Sequence, residues 1–322
     1  MRVIDLYSGM GGISWGFSRE GFRVTGVDIN PLVPDIFELN GIGEAILADL
    51  RTYRVTEIAP KSREEPLVLV GGPSCRPWSN VNRRRHLFGP AHPDYVLMIK
   101  FLDAVSAIKP DVFLMENVLP VANDPGFQKR MDSLKRHYWI ARMRVRYSDY
   151  GAPTSRERFF AAGFRRGRRV DHASSFLGKL DKERSQSRPK IVEDVLAGYI
   201  GLGYGEAPDH HWPNFKTIHR YKEKYRSNRY GWYKLDPKKP APSFGNVMKT
   251  YILPPWAGNG HGVPLRVISV REAMALMGFD PSFRFPEGAA MKTRYQMVAD
   301  AVSPVFSRIA ARAIREILGE EM

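Results

Sequence analysis

A succession of short apolar runs, each stopped abruptly by glycine, proline or an acid, constrains this chain most. Val3–Leu6, Val24–Val27, Ala45–Leu47, Leu67–Val70 and Val112–Met115 read as strands. Between them lie helical signals. Ile13–Glu20 follows a glycine turn, and Tyr95–Ile108 carries Val96, Ile99, Leu102 and Val105 at helical spacing until Lys109-Pro110 ends it. Alternating strands and helices predict an α/β fold, a mostly parallel, doubly wound sheet with helices on both faces. Trp139–Arg146 and Phe159–Gly163 then read as an antiparallel pair around Tyr150-Gly151-Ala152-Pro153.

The turns after these strands carry the chemistry, and open α/β sheets bind ligands beyond their strand ends. Asp5-Leu6-Tyr7-Ser8-Gly9-Met10-Gly11-Gly12 is a glycine-rich turn after the first run, Asp28 closes the second and Asp49 the third. The glycine turn and Asp28 have about the spacing of a dinucleotide fingerprint and its ribose-binding acid, and an acid at Asp49 can meet an adenine amino group. Either acid alone reads equally well as a cap or turn residue. The series favours an adenosine-containing cofactor without choosing between a nicotinamide dinucleotide and S-adenosylmethionine.

The fourth run delivers Gly71-Gly72-Pro73-Ser74-Cys75-Arg76-Pro77-Trp78-Ser79, with the only cysteine of the chain, and the fifth delivers Glu116-Asn117. A thiol is a strong nucleophile once ionised. No second cysteine is available for redox work, and the eight histidines show no metal-ligand spacing with Cys75. One thiolate and one carboxylic acid suit addition to an electron-poor ring. Attack at C6 of cytosine, with a proton delivered at N3, turns C5 into a carbon nucleophile that can take a methyl group.

At this point the chain resembles the cytosine-C5 DNA methyltransferases, prokaryotic type. Asp5–Gly12 matches the first motif of that family, Gly71–Ser79 resembles its Pro-Cys loop, and Glu116-Asn117-Val118 is its Glu-Asn-Val motif. Tyr150–Arg158 resembles its Gln-x-Arg-x-Arg segment. Leu265–Phe279 and Val298–Pro304 look like its last two motifs, all in collinear order. Five positions depart from the pattern: Ser74 for the proline before the nucleophile, Arg76 for a glutamine, Thr154 for the glutamine of Gln-x-Arg-x-Arg, and Ala299-Asp300 for Gly-Asn. Ser74 is expected to loosen the backbone of the cysteine loop.

The resemblance implies an S-adenosylmethionine-dependent, Rossmann-like domain that methylates a flipped-out cytosine in double-stranded DNA. Cys75 would be the nucleophile, Glu116 would bind N3 and the exocyclic amine, and Arg158 would contact O2 with Arg156 in support. Asn117 would brace the cysteine loop. Tyr7, Ser8, Gly9, Met10, Gly11 and Gly12 would line the cofactor, with Asp28 and Ile29 at its ribose, Asp49 and Leu50 at its adenine, and Leu97, Asp300, Ala301 and Val302 closing the pocket. Arg76, Ser79 and the run Arg83-Arg84-Arg85 would approach the DNA. The expected layout is a catalytic domain over 1–165 plus 292–322 and a smaller, basic target-recognition domain over 166–291.

Charge agrees with a nucleic-acid partner. The net charge is +15, and residues 165–240 hold 18 Lys+Arg against 9 Asp+Glu, so over half the excess lies in under a quarter of the chain. Arg165-Arg166-Gly167-Arg168-Arg169 reads as a linker. Trp212–Lys239 interleaves aromatics with cations, the composition of a base-stacking surface or of a small irregular core. Ser269–Met277 and Tyr295–Leu318 read as helices, the latter interrupted near Ser303-Pro304. No apolar run nears the ~18 residues of a membrane span, and a strand from the first residues leaves no room for a signal peptide. A lone cysteine suits a reducing prokaryotic cytoplasm. A monomer is expected, alone or paired with a separately encoded restriction endonuclease. An RNA (tRNA) cytosine methyltransferase on the same scaffold and a catalytically impaired DNA-binding homologue remain open.

Overall fold

The structure, a computed structural model, describes residues 1–60, 64–79, 88–167, 170–220, 232–258 and 262–320. The strands are β1 (Arg2–Leu6), β2 (Arg23–Asp28), β3 (Glu44–Leu47), β4 (Leu67–Gly71), β5 (Val112–Asn117), β6 (Tyr138–Arg146) and β7 (Glu157–Arg165). They form one seven-stranded sheet in the order β3-β2-β1-β4-β5-β7-β6. The first five run parallel in register, Val3 beside Val24 and Val68, and Val70 beside Leu114. β7 runs antiparallel to β5, with Glu116 opposite Phe160. β4 and β5 are buried along their whole length. A strand covered on both faces has no use for polar alternation, which is why these two read as unbroken apolar runs.

The helices of this part are α1 (Gly12–Arg19), α2 (Val33–Leu39), α3 (Tyr95–Ile108), α4 (Pro125–Leu134) and α5 (His172–Gln186). The first three fill parallel crossovers. α3 and α4 cover a core in which Met98, Phe101, Leu102 and Val105 meet Leu69, Phe113, Met115, Phe127 and Met131. Position 163 needs glycine because Phe113 lies across it, and an added Cβ would collide with that ring.

The chain forms two compact units. One comprises residues 1–145, 157–186 and 307–322; the other comprises 146–156 and 187–306. The sequence-based boundaries ran differently around 146–156, 166–186 and 292–306. Segment 166–186 belongs with the large sheet because Phe176 of α5 packs on Phe164 of β7, ring centroids 5.4 Å apart. The expected linker also needs correcting. Arg165 is the last residue of β7 and pairs with Asp111. Arg166 lays its guanidinium 3.7 Å from the ring centroid of Trp139. Arg168 and Arg169 lie outside the described residues.

The second unit contains α6 (Val192–Leu196), α7 (Lys216–Arg220), β8 (Trp232–Lys234), β9 (Tyr251–Leu253), α8 (Val270–Met277) and α9 (Met291–Asp300). Helix α10 (Pro304–Gly319) ends the chain. The centre of this unit is polar. Buried Asp209 takes Arg294 at 2.8 Å and Arg271 at 3.5 Å, while Glu272, reciprocally capping α8 with Ser269, binds both terminal nitrogens of Arg266. Of the aromatics in this stretch, half-buried Trp212 packs edge-on against His210 and beneath Arg266, and half-buried Phe215 packs on Tyr251. Tyr221, Tyr225 and Tyr230 lie outside the described residues. Among the described residues no helix is long and apolar enough to cross a membrane.

Candidate active site

Strand order reverses between β1 and β4, and loops leaving two strands at such a switch point part to form a crevice. The two loops leaving here are the glycine turn and the cysteine loop. The geometry therefore gathers at one sheet edge the residues that the sequence carried on separate strands.

Cys75 is half-buried and opens a single 3-10 turn, Arg76–Trp78. Its loop is tied at three points. Asn117 Nδ2 donates to the Pro73 carbonyl at 2.9 Å, and its own Oδ1 accepts from Val118 N at 2.8 Å. Trp78 Nε1 donates to Asp124 Oδ2 at 3.0 Å; the other oxygen of Asp124 accepts from the Tyr95 hydroxyl at 2.7 Å and from Phe127 N at 3.0 Å. Between these, the Ser74 hydroxyl donates to Asp94 Oδ2 at 3.0 Å. The loosening expected of Ser74 is thus opposed by a hydrogen bond of its own.

Glu116 lies beside this loop. Its Oε2 stands 3.0 Å from where a Cβ on Gly72 would be, so a side chain at 72 would press on the carboxylate. Its Oε1 pairs with Arg158 Nε at 3.0 Å, both side chains mostly buried. The antiparallel register explains the meeting, because the start of β7 runs beside the end of β5. Arg158 is oriented further by a 2.7 Å bond from Nη1 to the Glu157 carbonyl. Cys75, Glu116, Asn117 and Arg158 thus belong to one unit and one sheet edge. Arg156 belongs to the other unit, 4% exposed, with Nη1 donating to the Phe244 carbonyl at 3.5 Å. Arg76 is exposed and Ser79 half-buried. Arg83, Arg84 and Arg85 lie outside the described residues.

On the β1 side, Tyr7 and Ser8 donate their N–H groups to the Val27 carbonyl, at 2.9 and 3.2 Å. Tyr7 takes φ +64°, rare for a side-chain-bearing residue, and Gly9 and Gly11 follow at +53° and +85°. This winding aims Gly9 N at Asp28 Oδ2, 2.8 Å away, while Asn30 N takes Oδ1 at 2.8 Å. Burial raises the Asp28 carboxyl above the usual range, opposed by these backbone donors. Ile29, next to it, is 58% exposed, an apolar side chain left facing out beside a mostly buried acid. The Tyr7 hydroxyl donates to the Leu97 carbonyl at 2.9 Å, tying the turn to α3. Asp49 accepts from Arg51 N at 2.9 Å.

Met10, Gly11, Gly12, Leu50 and Leu97 are buried, Leu50 within the core under the sheet. Ser8 Oγ and Asp5 Oδ1 are buried with no hydrogen-bond partner among the described residues. The turn and the strand end after it thus offer an orphan hydroxyl, a carboxylate and an exposed apolar side chain to a ligand. Asp300, exposed at the end of α9, accepts from Gln296 at 2.9 Å; Ala301 is half-buried and Val302 buried, all in the second unit.

Asp94, Asp124, Tyr95, Trp78 and Arg51 were not singled out from the sequence. Asp94 precedes a helix and reads as an ordinary cap, and the partner of Asp124 lies 46 positions away.

Comparison with known proteins identifies the family. The family described as C-5 cytosine-specific DNA methylase matches residues 1–316. A protein of Methanocaldococcus jannaschii, provisionally named a type II methyltransferase, is 27% identical over 99% of this chain and 100% of its own length. The type II methyltransferase M.FnuDI of Fusobacterium nucleatum is 25% identical over 100% of this chain and 96% of its own. Among solved structures, the S. pombe Dnmt2 methyltransferase superposes with a TM-score of 0.72 at 16% identity, covering 100% of this chain and 99% of that one. At that identity the last likeness speaks for the fold alone.

Proposed function

This chain belongs to the C-5 cytosine-specific DNA methylase family, hence is a DNA cytosine-5 methyltransferase that needs a methyl donor, and on that premise we propose that Cys75, Glu116 and Arg158 carry the transfer. The observation behind the assignment is that Asn117 anchors the loop of the only cysteine to the strand end that also bears Glu116.

In this reading Cys75 attacks as the thiolate, forming an S–C6 bond as the C5–C6 electron pair moves into the ring. Glu116 delivers a proton at N3, and Arg158 holds the Glu116 carboxylate and faces the base O2, with Arg156 in support. S-adenosylmethionine, when bound, supplies an electrophilic methyl group whose former bonding pair stays on the departing sulfur. C5 takes that methyl. Loss of the C5 proton to water then expels the Cys75 thiolate, and return of the N3 proton to Glu116 restores the ring. The glycine turn, Asp28, Ile29 and Asp49 would hold the donor, with Asp28 toward the ribose and Asp49 toward the adenine. Because C5 is stacked inside a duplex, the cytosine is flipped out at a cost of a few kcal/mol.

The first unit would bind donor and base, and the second, with the basic 187–240 region, would read the sequence. The setting proposed is a prokaryotic cytoplasm, with a monomer acting alone or beside a separately encoded restriction endonuclease. The test is incubation with methyl-labelled donor and, in parallel, mixed-sequence duplex DNA and total transfer RNA, followed by nucleoside analysis. Label recovered as 5-methylcytosine from DNA is expected. Label in RNA alone, or in another base, contradicts the reading.

A further inference from the structure

Asp94 stands at the N-cap of α3 yet makes no cap hydrogen bond. That is unusual use of an aspartate, since its ordinary contribution there is to accept a first-turn N–H. Its carboxylate, in a residue only 6% exposed, faces the cysteine loop instead. Oδ2 accepts from the Ser74 hydroxyl at 3.0 Å and lies 3.5 Å from Arg76 Nη1, so it holds the residues on both sides of Cys75. Oδ1 accepts from Arg51 Nη2 at 2.6 Å, and Arg51 in turn bonds Asp49 through its backbone N–H. Ser74 Oγ also receives Arg76 N at 3.4 Å, closing a small turn around the thiol.

We infer that Asp94 is a positioning residue for the nucleophile, fixing the Cys75 loop through the Ser74 hydroxyl. This rests on Cys75 being the nucleophile. The resembling motif has a proline at position 74, whose ring sets φ near −65° without outside help. A serine leaves that torsion free, and an anchored hydroxyl restores the constraint from outside the loop. The anchor is rigid because Asp94 is buried, charge-paired with Arg51, and set at the first turn of a helix whose next residue, Tyr95, steadies the far side of the loop through Asp124. Arg76, standing where a glutamine is usual, fits the same device, since a cation completes the partners of Asp94. The departures at 74 and 76 thus read as one adaptation built on one acid.

The test measures kcat, and KM for the methyl donor, in Ser74→Ala, Asp94→Asn and the double variant, on duplex DNA and with the full chain. Each single variant is expected to lower kcat roughly ten- to a hundredfold, the range for a slightly misplaced reacting group, with KM for the donor within about twofold. The double variant is expected to be no slower than the slower single one, because both changes remove the same tie. Ser74→Ala deletes one hydroxyl and leaves Asp94 with both arginines, so it carries the test even if Asp94→Asn folds poorly. Wild-type kcat in Ser74→Ala, or losses that multiply in the double variant, overturn the inference. Cys75→Ser, run alongside, separates the failures. If it is inactive while Ser74→Ala is fully active, only the positioning role is lost; if it turns over, the nucleophile assignment and this inference fall together.

Discussion

Gly16 lies inside α1, directly behind the glycine turn, and its substitution by alanine sets two effects of known size against each other. By helix propensity alone, Gly16→Ala stabilises by about 1 kcal/mol. The structure opposes this. A Cβ on Gly16 would fall 2.6 Å from the carbonyl carbon of Ser307, and closer still to Arg308 N and Ser307 Oγ. Most of that obstruction is backbone and cannot swing away, so α10 must shift off α1. Overpacking of this kind costs about 1–3 kcal/mol. The shift also stretches the 2.7 Å bond from the Ser307 hydroxyl to the Gly12 carbonyl, worth about 1 kcal/mol. The net expectation is destabilisation by about 1–3 kcal/mol. At ~2–4 °C per kcal/mol for a chain of this size, Tm falls by several degrees. Gly178 in α5 is the matched control, because nothing lies within 4 Å of its added Cβ, and Gly178→Ala should stabilise by up to about 1 kcal/mol. Urea or thermal denaturation of the two variants against wild type decides the matter. A Gly16→Ala protein as stable as wild type refutes the packing of the last helix against the glycine turn.

Burial raises the Asp5 carboxyl to about 7 from 3.8, so the folded chain keeps a proton that the unfolded chain has lost between those values. Wild-type stability should therefore fall, relative to Asp5→Asn, as pH rises from about 4 to about 7, by roughly 4 kcal/mol at most; a pH-independent difference between the two denaturation series would exclude this. Asn117→Ala removes the donor to Pro73 O and should cut kcat roughly ten- to a hundredfold while donor binding by calorimetry persists, and unchanged kcat would show that the brace is dispensable. Glu116→Gln, which cannot deliver the proton, should lower kcat by about 10²–10⁴ with little change in donor affinity. Loss of donor binding instead would move Glu116 to the other pocket.

The strand ends were legible because each apolar run stops at a residue that breaks a strand, and the topology then places those stops along one edge. Helix α5 was harder to see. Its buried residues Ala173, Phe176 and Leu180 do recur at helical spacing, but they are submerged in a polar, charged stretch. Arg165 and Arg166 read as part of a linker, whereas one ends a strand and the other stacks on Trp139; sequence carries no sign of a ring 27 positions upstream. The reacting residues could be named from motifs. Of their supports only Asn117 could be named in the same way; Asp94 and Asp124 act on the cysteine loop across 20 and 46 positions, and only the folded sheet brings them there. For Trp212 and Phe215 composition left a stacking surface and a small core both open, because it does not distinguish a ring that binds a base from one that packs on its neighbour; both are half-buried beside other rings.

The covalent step at Cys75 is the central claim, and it has a direct readout. A duplex substrate carrying 5-fluorocytosine in place of cytosine, incubated with the protein and S-adenosylmethionine, allows addition at C6 and methylation at C5 but leaves no C5 proton to lose. The account predicts a denaturant-stable protein–DNA adduct whose mass equals protein, strand and one methyl group, mapping to the peptide that holds Cys75 and absent from Cys75→Ser. An adduct in Cys75→Ser, or methylation of ordinary duplex by a wild-type protein that never forms one with the fluorinated duplex, would contradict it.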